Sequence, residues 1–236
     1  MSDGHIGCYA NHFRHPVKEE TERRAFKTAR PREFDEAAVL DAAIDRFWQH
    51  GYEATSVRDL ADEMNIAGAS LYNAFGDKRS LYERALNLYL DRTFRERILR
   101  LEPRLPPREA IAAFLREIVK RSVTDKQRRG CMLVNSAIES APHDHKFLGI
   151  VAIFLDEVES FFLRCVSQGQ RDGTITKAYS AEDLSRSLLG TLLGVRVLAR
   201  VRPRRKLLEG LIRPVLGLLD DTSTAGRRQR RASRAQ

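Results

Sequence analysis

Residues 55–78, Thr55-Ser-Val-Arg-Asp-Leu-Ala-Asp-Glu-Met-Asn-Ile-Ala-Gly-Ala-Ser-Leu-Tyr-Asn-Ala-Phe-Gly-Asp-Lys78, leave the chain little choice of fold. Val57, Leu60, Ala61 and Met64 fall at i, i+3, i+4 and i+7, one apolar stripe of a short helix. Thr55 stands at the N-cap position, its hydroxyl placed to accept from an orphan backbone N–H. Ile66-Ala67-Gly68-Ala69 supplies a tight turn, and Ser70 opens a second helix with Leu71 and Phe75 one turn apart on its inner side. Burying that pair turns Tyr72 and Asn73 outward. A supporting helix crossed by an exposed short one is the geometry that lays a helix in a DNA major groove.

The flanks extend the pattern. Leu40, Ile44, Phe47 and Trp48 form the stripe of a preceding helix that begins at Phe34 or Asp35. Gly51 closes it, because positive φ is cheap for glycine. Asp77 caps a longer helix running to about Arg97, with Leu81, Ala85 and Leu88 inward, and Pro103, Pro106 and Pro107 mark a boundary. Beyond it the helical pattern covers Arg108–Thr124, about Cys131–Ser140, about Lys146–Gln170, a helix capped by Ser180 and ended by Pro203, and Arg204–Leu219. Glu182 and Asp183 in the first turn after Ser180 suit the helix dipole. No strand pattern and no internal repeat appears. The expectation is an all-α chain.

The register of these landmarks resembles the TetR/AcrR family of one-component transcriptional regulators. The likeness runs from Phe34-Asp-Glu-Ala-Ala-Val-Leu through Trp48, Gly51-Tyr52 and Thr55, then Leu71-Tyr72, Phe75 and Lys78, covering about residues 30–90. It implies a homodimer with an N-terminal three-helix helix-turn-helix DNA-binding domain and a C-terminal helical bundle for ligand binding and dimerisation. On that reading residues 1–29 are an extension, 30–90 the DNA-binding domain, 91–220 the sensor and dimerisation domain, and 221–236 an Arg-rich tail. Many family members carry a larger polar residue in the turn and a His where this chain has Asn73. Readout therefore rests on Ser70, Tyr72, Asn73 and backbone approach at Gly68 and Ala69.

Composition agrees with a polyanionic partner. The 236 residues carry a formal net charge of +9. Arg227, Arg228, Arg230, Arg231 and Arg234 concentrate part of that excess in a tail without apolar periodicity, either solvated or clinging to phosphate. No stretch approaches the roughly 18 uninterrupted apolar residues of a membrane span. Ile6-Gly7-Cys8 lacks the basic and apolar regions of a signal peptide. Cys8, Cys131 and Cys165 are an odd, widely spaced set, which fits reduced thiols and a cytoplasmic location.

Candidate residues follow from position. Thr55, Tyr72, Lys78 and Arg58 are phosphate contacts, while Ser70 and Asn73 read bases, since Asn pairs bidentately with adenine. Arg30-Pro31-Arg32 is either a linker or a minor-groove arm. Gly190 and Gly194, four apart in an apolar helix, suit close approach of a partner helix, so Leu188, Gly190, Gly194, Leu198, Leu211 and Val215 are placed at a dimer interface. Phe114, Phe154, Phe161 and Phe162, with Cys131 and Asn135, are guesses at an effector pocket. Cys131 stands at a helix start beside Arg128 and Arg129, either as a thiol sensor or as a buried side chain. His143-Asp144-His145 reads as helix entry rather than a metal site, and no cofactor is expected. A ligand-controlled repressor of operator DNA, held as a homodimer and answering an unknown small molecule, is the first hypothesis. A thiol enzyme at Cys131 lacks a base and an orienting group; an architectural DNA-binding protein has no use for the helical C-terminal half.

Overall fold

The first helix begins where the sequence supplies a carboxylate to start it. In the computed structural model, which describes residues 34–139 and 144–220, Asp35 accepts from the backbone N–H of Ala37 at 2.9 Å and opens α1 (Glu36–His50). Val39, Ala43, Ile44, Phe47 and Trp48 form its buried face. Gly51 ends it at φ 82°, its N–H bonded to Phe47 O. α2 (Val57–Glu63) and α3 (Gly68–Phe75) follow, joined through Asn65 at φ 52°. α4 (Lys78–Leu90) is capped by Asp77, which accepts from Ser80 N–H at 2.7 Å.

Helix α4 does not stop near Arg97. It passes through a π-turn at Asp91–Arg95 into α5 (Glu96–Leu101). Ile98 and Leu101 are buried there, so the apolar stripe continues past the expected end. Arg97 bonds back to Thr93 O and across to Glu117 at 2.9 Å. It ties the helix to its neighbour instead of terminating it.

The second half consists of α6 (Pro107–Thr124), α7 (Met132–Glu139), α8 (His145–Arg171), α9 (Ala181–Val201) and α10 (Arg205–Leu218). α8 packs on α9 and α6, and α10 closes against α9 and α6. Ser180 caps α9 by accepting from Asp183 N–H at 3.0 Å. No strand occurs among the described residues, and none of their helices is long and apolar enough to cross a membrane.

Two sets of residues expected at functional surfaces lie in the core. Phe114, Phe154, Phe161 and Phe162 are fully buried. Phe114 meets Phe161 and Phe162 at ring-centroid distances of 5.1 and 5.6 Å, and Phe154 meets Phe94 at 5.1 Å. These rings pack against one another in the core. Leu188 and Val215 are likewise buried inside their own chain and cannot be primary contacts with a partner. The N-terminal helices share this core: Trp48 packs edge-on against Tyr89 at 4.9 Å, and Tyr52 and Tyr82 both meet Phe147 of α8.

Candidate nucleic-acid interface

Helix α3 is held from behind and open in front. Leu71 and Phe75 are buried, Phe34 stacks on Phe75, and Arg84 covers that ring while pairing with Glu36. Tyr72 is 52% exposed, and Asn73 and Ala69 are also exposed. The helix begins at Gly68, two residues before the expected Ser70, because Ser70 N–H already donates to Ala67 O at 2.9 Å. Gly68 and Ala69 therefore form its first turn. Ala67 caps it with no side-chain hydrogen bond, whereas α2 and α4 are capped by side chains. A Cβ placed on Gly68 would meet nothing within 4 Å. The start of α3 is thus small, uncapped and open, which permits close approach of a phosphate backbone.

Thr55 is not the cap of α2. Ser56 accepts from Asp59 N–H at 3.1 Å while the Asp59 carboxylate accepts from Ser56 N–H at 2.9 Å, a reciprocal capping box. Hydrogen bonding from the Ser56 backbone N–H and side chain holds the Asp59 carboxyl below its usual range. Thr55 is 1% exposed, its hydroxyl donates to Gly51 O at 2.8 Å, and its N–H donates to Tyr52 O. Both donors that were to meet phosphate are spent inside the turn; the exposed hydroxyl is that of Ser56.

Lys78 lies over the Tyr52 ring, its Nζ 4.2 Å from the centroid. Burial pushes the Tyr52 hydroxyl up, partly offset by Arg79, so the ring stays neutral beneath the ammonium. Arg58 extends into solvent, 3.8 Å from Asp62, a surface pair worth little. Arg46 of α1 bridges to Glu63 and Asp59 of α2. Tyr52, a landmark of the sequence pattern with no role given to it there, lies beneath the Lys78 ammonium, and Arg46, absent from the sequence reading, ties α1 to α2. Arg30, Arg32 and the arginines of the tail lie outside the described residues.

The remaining candidates separate. Asn135 is occupied, donating to Arg129 O and accepting from Arg200. Cys131 is 1% exposed and accepts from the Tyr89 hydroxyl at 3.7 Å. Arg129, expected beside that thiol, instead stacks over Trp48 and pairs with Asp45; Arg196 takes its place. Asp144 caps α8 and pairs with Arg79. On the outer side of α9 and α10, Gly190 is exposed, Gly194, Leu198 and Leu211 are half-buried, and a Cβ on either glycine meets nothing within 4 Å.

Comparison with known proteins decides what this arrangement is. Residues 39–85 match the family model for bacterial regulatory proteins of the tetR family, and residues 107–214 match that of the tetracyclin repressor-like C-terminal domain. The HTH-type transcriptional regulator YezE of Bacillus subtilis is 33% identical over 81% of this chain and 99% of its own. The chain belongs to the TetR family. It is a helix-turn-helix transcriptional regulator, and the reading drawn from Gly51-Tyr52, Leu71-Tyr72 and Lys78 holds. The repressor ComR of Escherichia coli is 33% identical over 48% of this chain and 54% of its own. Among solved structures, a cysteine mutant of the TetR family regulator CifR, complexed with 26-bp double-strand operator DNA, is 33% identical with a TM-score of 0.71. That match covers 79% of this chain and 98% of CifR.

Proposed function

We propose that this TetR-family regulator is a repressor that binds an operator as a homodimer and is released by a small molecule. The single observation that carries the reading is α3: an uncapped, small-residue start followed by exposed Tyr72 and Asn73. Ser70 and Asn73 read base edges; Tyr72, Lys78, Ser56 and Arg58 take phosphates. We divide the chain at residues 30–90 and 91–220, with the second part holding the dimer face and the effector. The solved complex of CifR with operator DNA and the likeness to the repressor ComR support this reading. It operates in the cytoplasm, where its DNA is, and it requires no catalysis.

The dimer face follows from α9. Leu188, Leu192, Val195 and Ala199 form its inward stripe. Gly190, Gly194, Val197 and Val201 repeat the same spacing two positions on, hence on the opposite side, with Val201 67% exposed. A helix apolar on both faces is covered on both. Pro214 and Leu218 of α10 continue the outer face.

The experiment is retention of genomic fragments by purified protein, followed by competition with metabolite extracts. Enrichment of a few fragments, reversed by a small molecule, is expected. Equal retention of all fragments at every salt concentration contradicts the reading. A second reading, thiol sensing at Cys131, is favoured by the Tyr89 hydroxyl and Arg196 guanidinium beside the sulfur. A Cys131 adduct after mild peroxide that also releases DNA would support it; release without an adduct would remove it.

A further inference from the structure

Arg196 occupies an inward position of α9, 3% exposed, among apolar residues. Its guanidinium, always protonated, donates to Ser122 Oγ at 3.1 Å, to the Tyr89 hydroxyl at 2.9 Å and to Gly130 O at 2.9 Å. All three acceptors are neutral. The groups that act on it electrostatically are the Cys131 thiol and the Tyr89 hydroxyl, with no Asp or Glu among them, and its Nε has no hydrogen-bond partner. A buried cation in this setting calls for a countercharge.

Arg196 also lines a cavity of about 280 Å³, together with Trp48, Arg121, Lys126, Arg129 and Asp125. Four cationic side chains face one carboxylate there. That carboxylate is already engaged by the backbone N–H groups of Gln127 and Arg129. Six buried side-chain polar atoms among the described residues lack a partner. Three of them, Trp48 Nε1, Arg129 Nε and Arg196 Nε, belong to residues of this lining, each atom itself buried and Arg129 Nε 3.7 Å from Asp125. The lining thus carries an excess of positive charge, and what complements it is an anion.

We propose that this cavity is the effector site and that its ligand is a small organic carboxylate. A guanidinium fork matches a planar carboxylate, the Trp48 ring offers a flat apolar wall, and the volume is at the small end for ligand pockets. The site also has leverage. Trp48 belongs to α1, and Arg129, stacked 3.9 Å over its ring, pairs with Asp45 of the same helix at 2.9 Å. A carboxylate in the cavity competes with Asp45 for Arg129 and loosens the hold of the sensor half on α1. This step rests on the effector-controlled reading above.

Trp48 is the only tryptophan of the chain, so its fluorescence reports on this wall alone. The test titrates full-length protein with benzoate, with its uncharged isostere benzamide, and with inorganic phosphate, in parallel with binding to a retained genomic fragment. Saturable change of Trp48 emission by benzoate is expected, with benzamide about tenfold or more weaker and phosphate without effect. Arg196→Lys, which keeps the charge but loses the fork, and Arg129→Gln, at a partly exposed position, should each weaken benzoate by about tenfold. The proposal is overturned if benzoate produces no saturable change, if benzamide binds equally, if phosphate competes as well as benzoate, or if both arginine variants bind like the parent. Benzoate bound through Arg196 with the fragment still held removes the cavity's effector role but not the regulator. Failure to retain any fragment, with benzoate still bound, removes the regulator reading and leaves the anion site.

Discussion

Ser56 and Thr55 divide between them what one residue was expected to do. Either hydroxyl suits an N-cap, and the sequence pattern does not choose between neighbours. The choice is made by the turn before it: Thr55 is buried and its hydroxyl donates to Gly51 O, leaving Ser56 to pair with Asp59. Ser56→Ala should therefore cost about 1 kcal/mol in urea unfolding; no loss would show that the capping box contributes nothing. At the proposed DNA face Lys78 and Asn73 should behave differently. Lys78→Ala should weaken binding on every sequence and reduce the salt slope by about 1, whereas Asn73→Ala should alter preference among sites. Equal, sequence-independent losses, read by fluorescence anisotropy over several salt concentrations, would remove Asn73 from the reading set.

Among the elements, those with a long apolar stripe were legible and those ended by local chemistry were less so. α1, α8 and α9 carry their period and their caps in the sequence, Asp35 and Ser180 included. The start of α3 lies two residues before the expected Ser70: Gly68 is a poor helix former, and the Ser70–Ala67 bond shows that the turn is already helical there. Of the residues proposed for the dimer face, Gly190 and Gly194 lie on the outer side of α9, whereas Leu188 and Val215 share the hydrophobicity of the outer stripe and differ from it only in direction. Val197→Glu with Val201→Glu tests the outer stripe. The pair should raise the dimer dissociation constant by at least about tenfold, seen by sedimentation, with helix content unchanged. A dimer of undiminished strength would place the interface elsewhere.

At the scale of the whole molecule, the phenylalanine-rich centre shows why a pocket cannot be read from an aromatic stripe. Rings at helical spacing either line space or fill it, and here Phe114, Phe161 and Phe162 fill it. The cavity at Arg196 is assembled from α1, α6, α9 and the 125–130 loop, and nothing local in the sequence announces it. Acid stability is also a collective property. Asp59 is held low by hydrogen bonds from Ser56, and Asp77 by those from Ser80. Burial alone would raise Glu117, but Arg100 and Arg97 bring it below its usual range. Carboxyls lower in the folded state contribute stability that is present above their unfolded values and lost as pH falls through the folded ones. Urea midpoints should accordingly stay level at neutral pH and fall below about pH 4; a midpoint that rises on acidification would contradict these assignments.

The most direct test of the account is a footprint of the full-length protein on a retained genomic fragment. Two symmetric protected half-sites, centred about 34–36 Å apart along the duplex and both lost in Tyr72→Ala, are predicted. Protection by a single copy, or a footprint that Tyr72→Ala leaves intact, would contradict a dimer that reads DNA through α3.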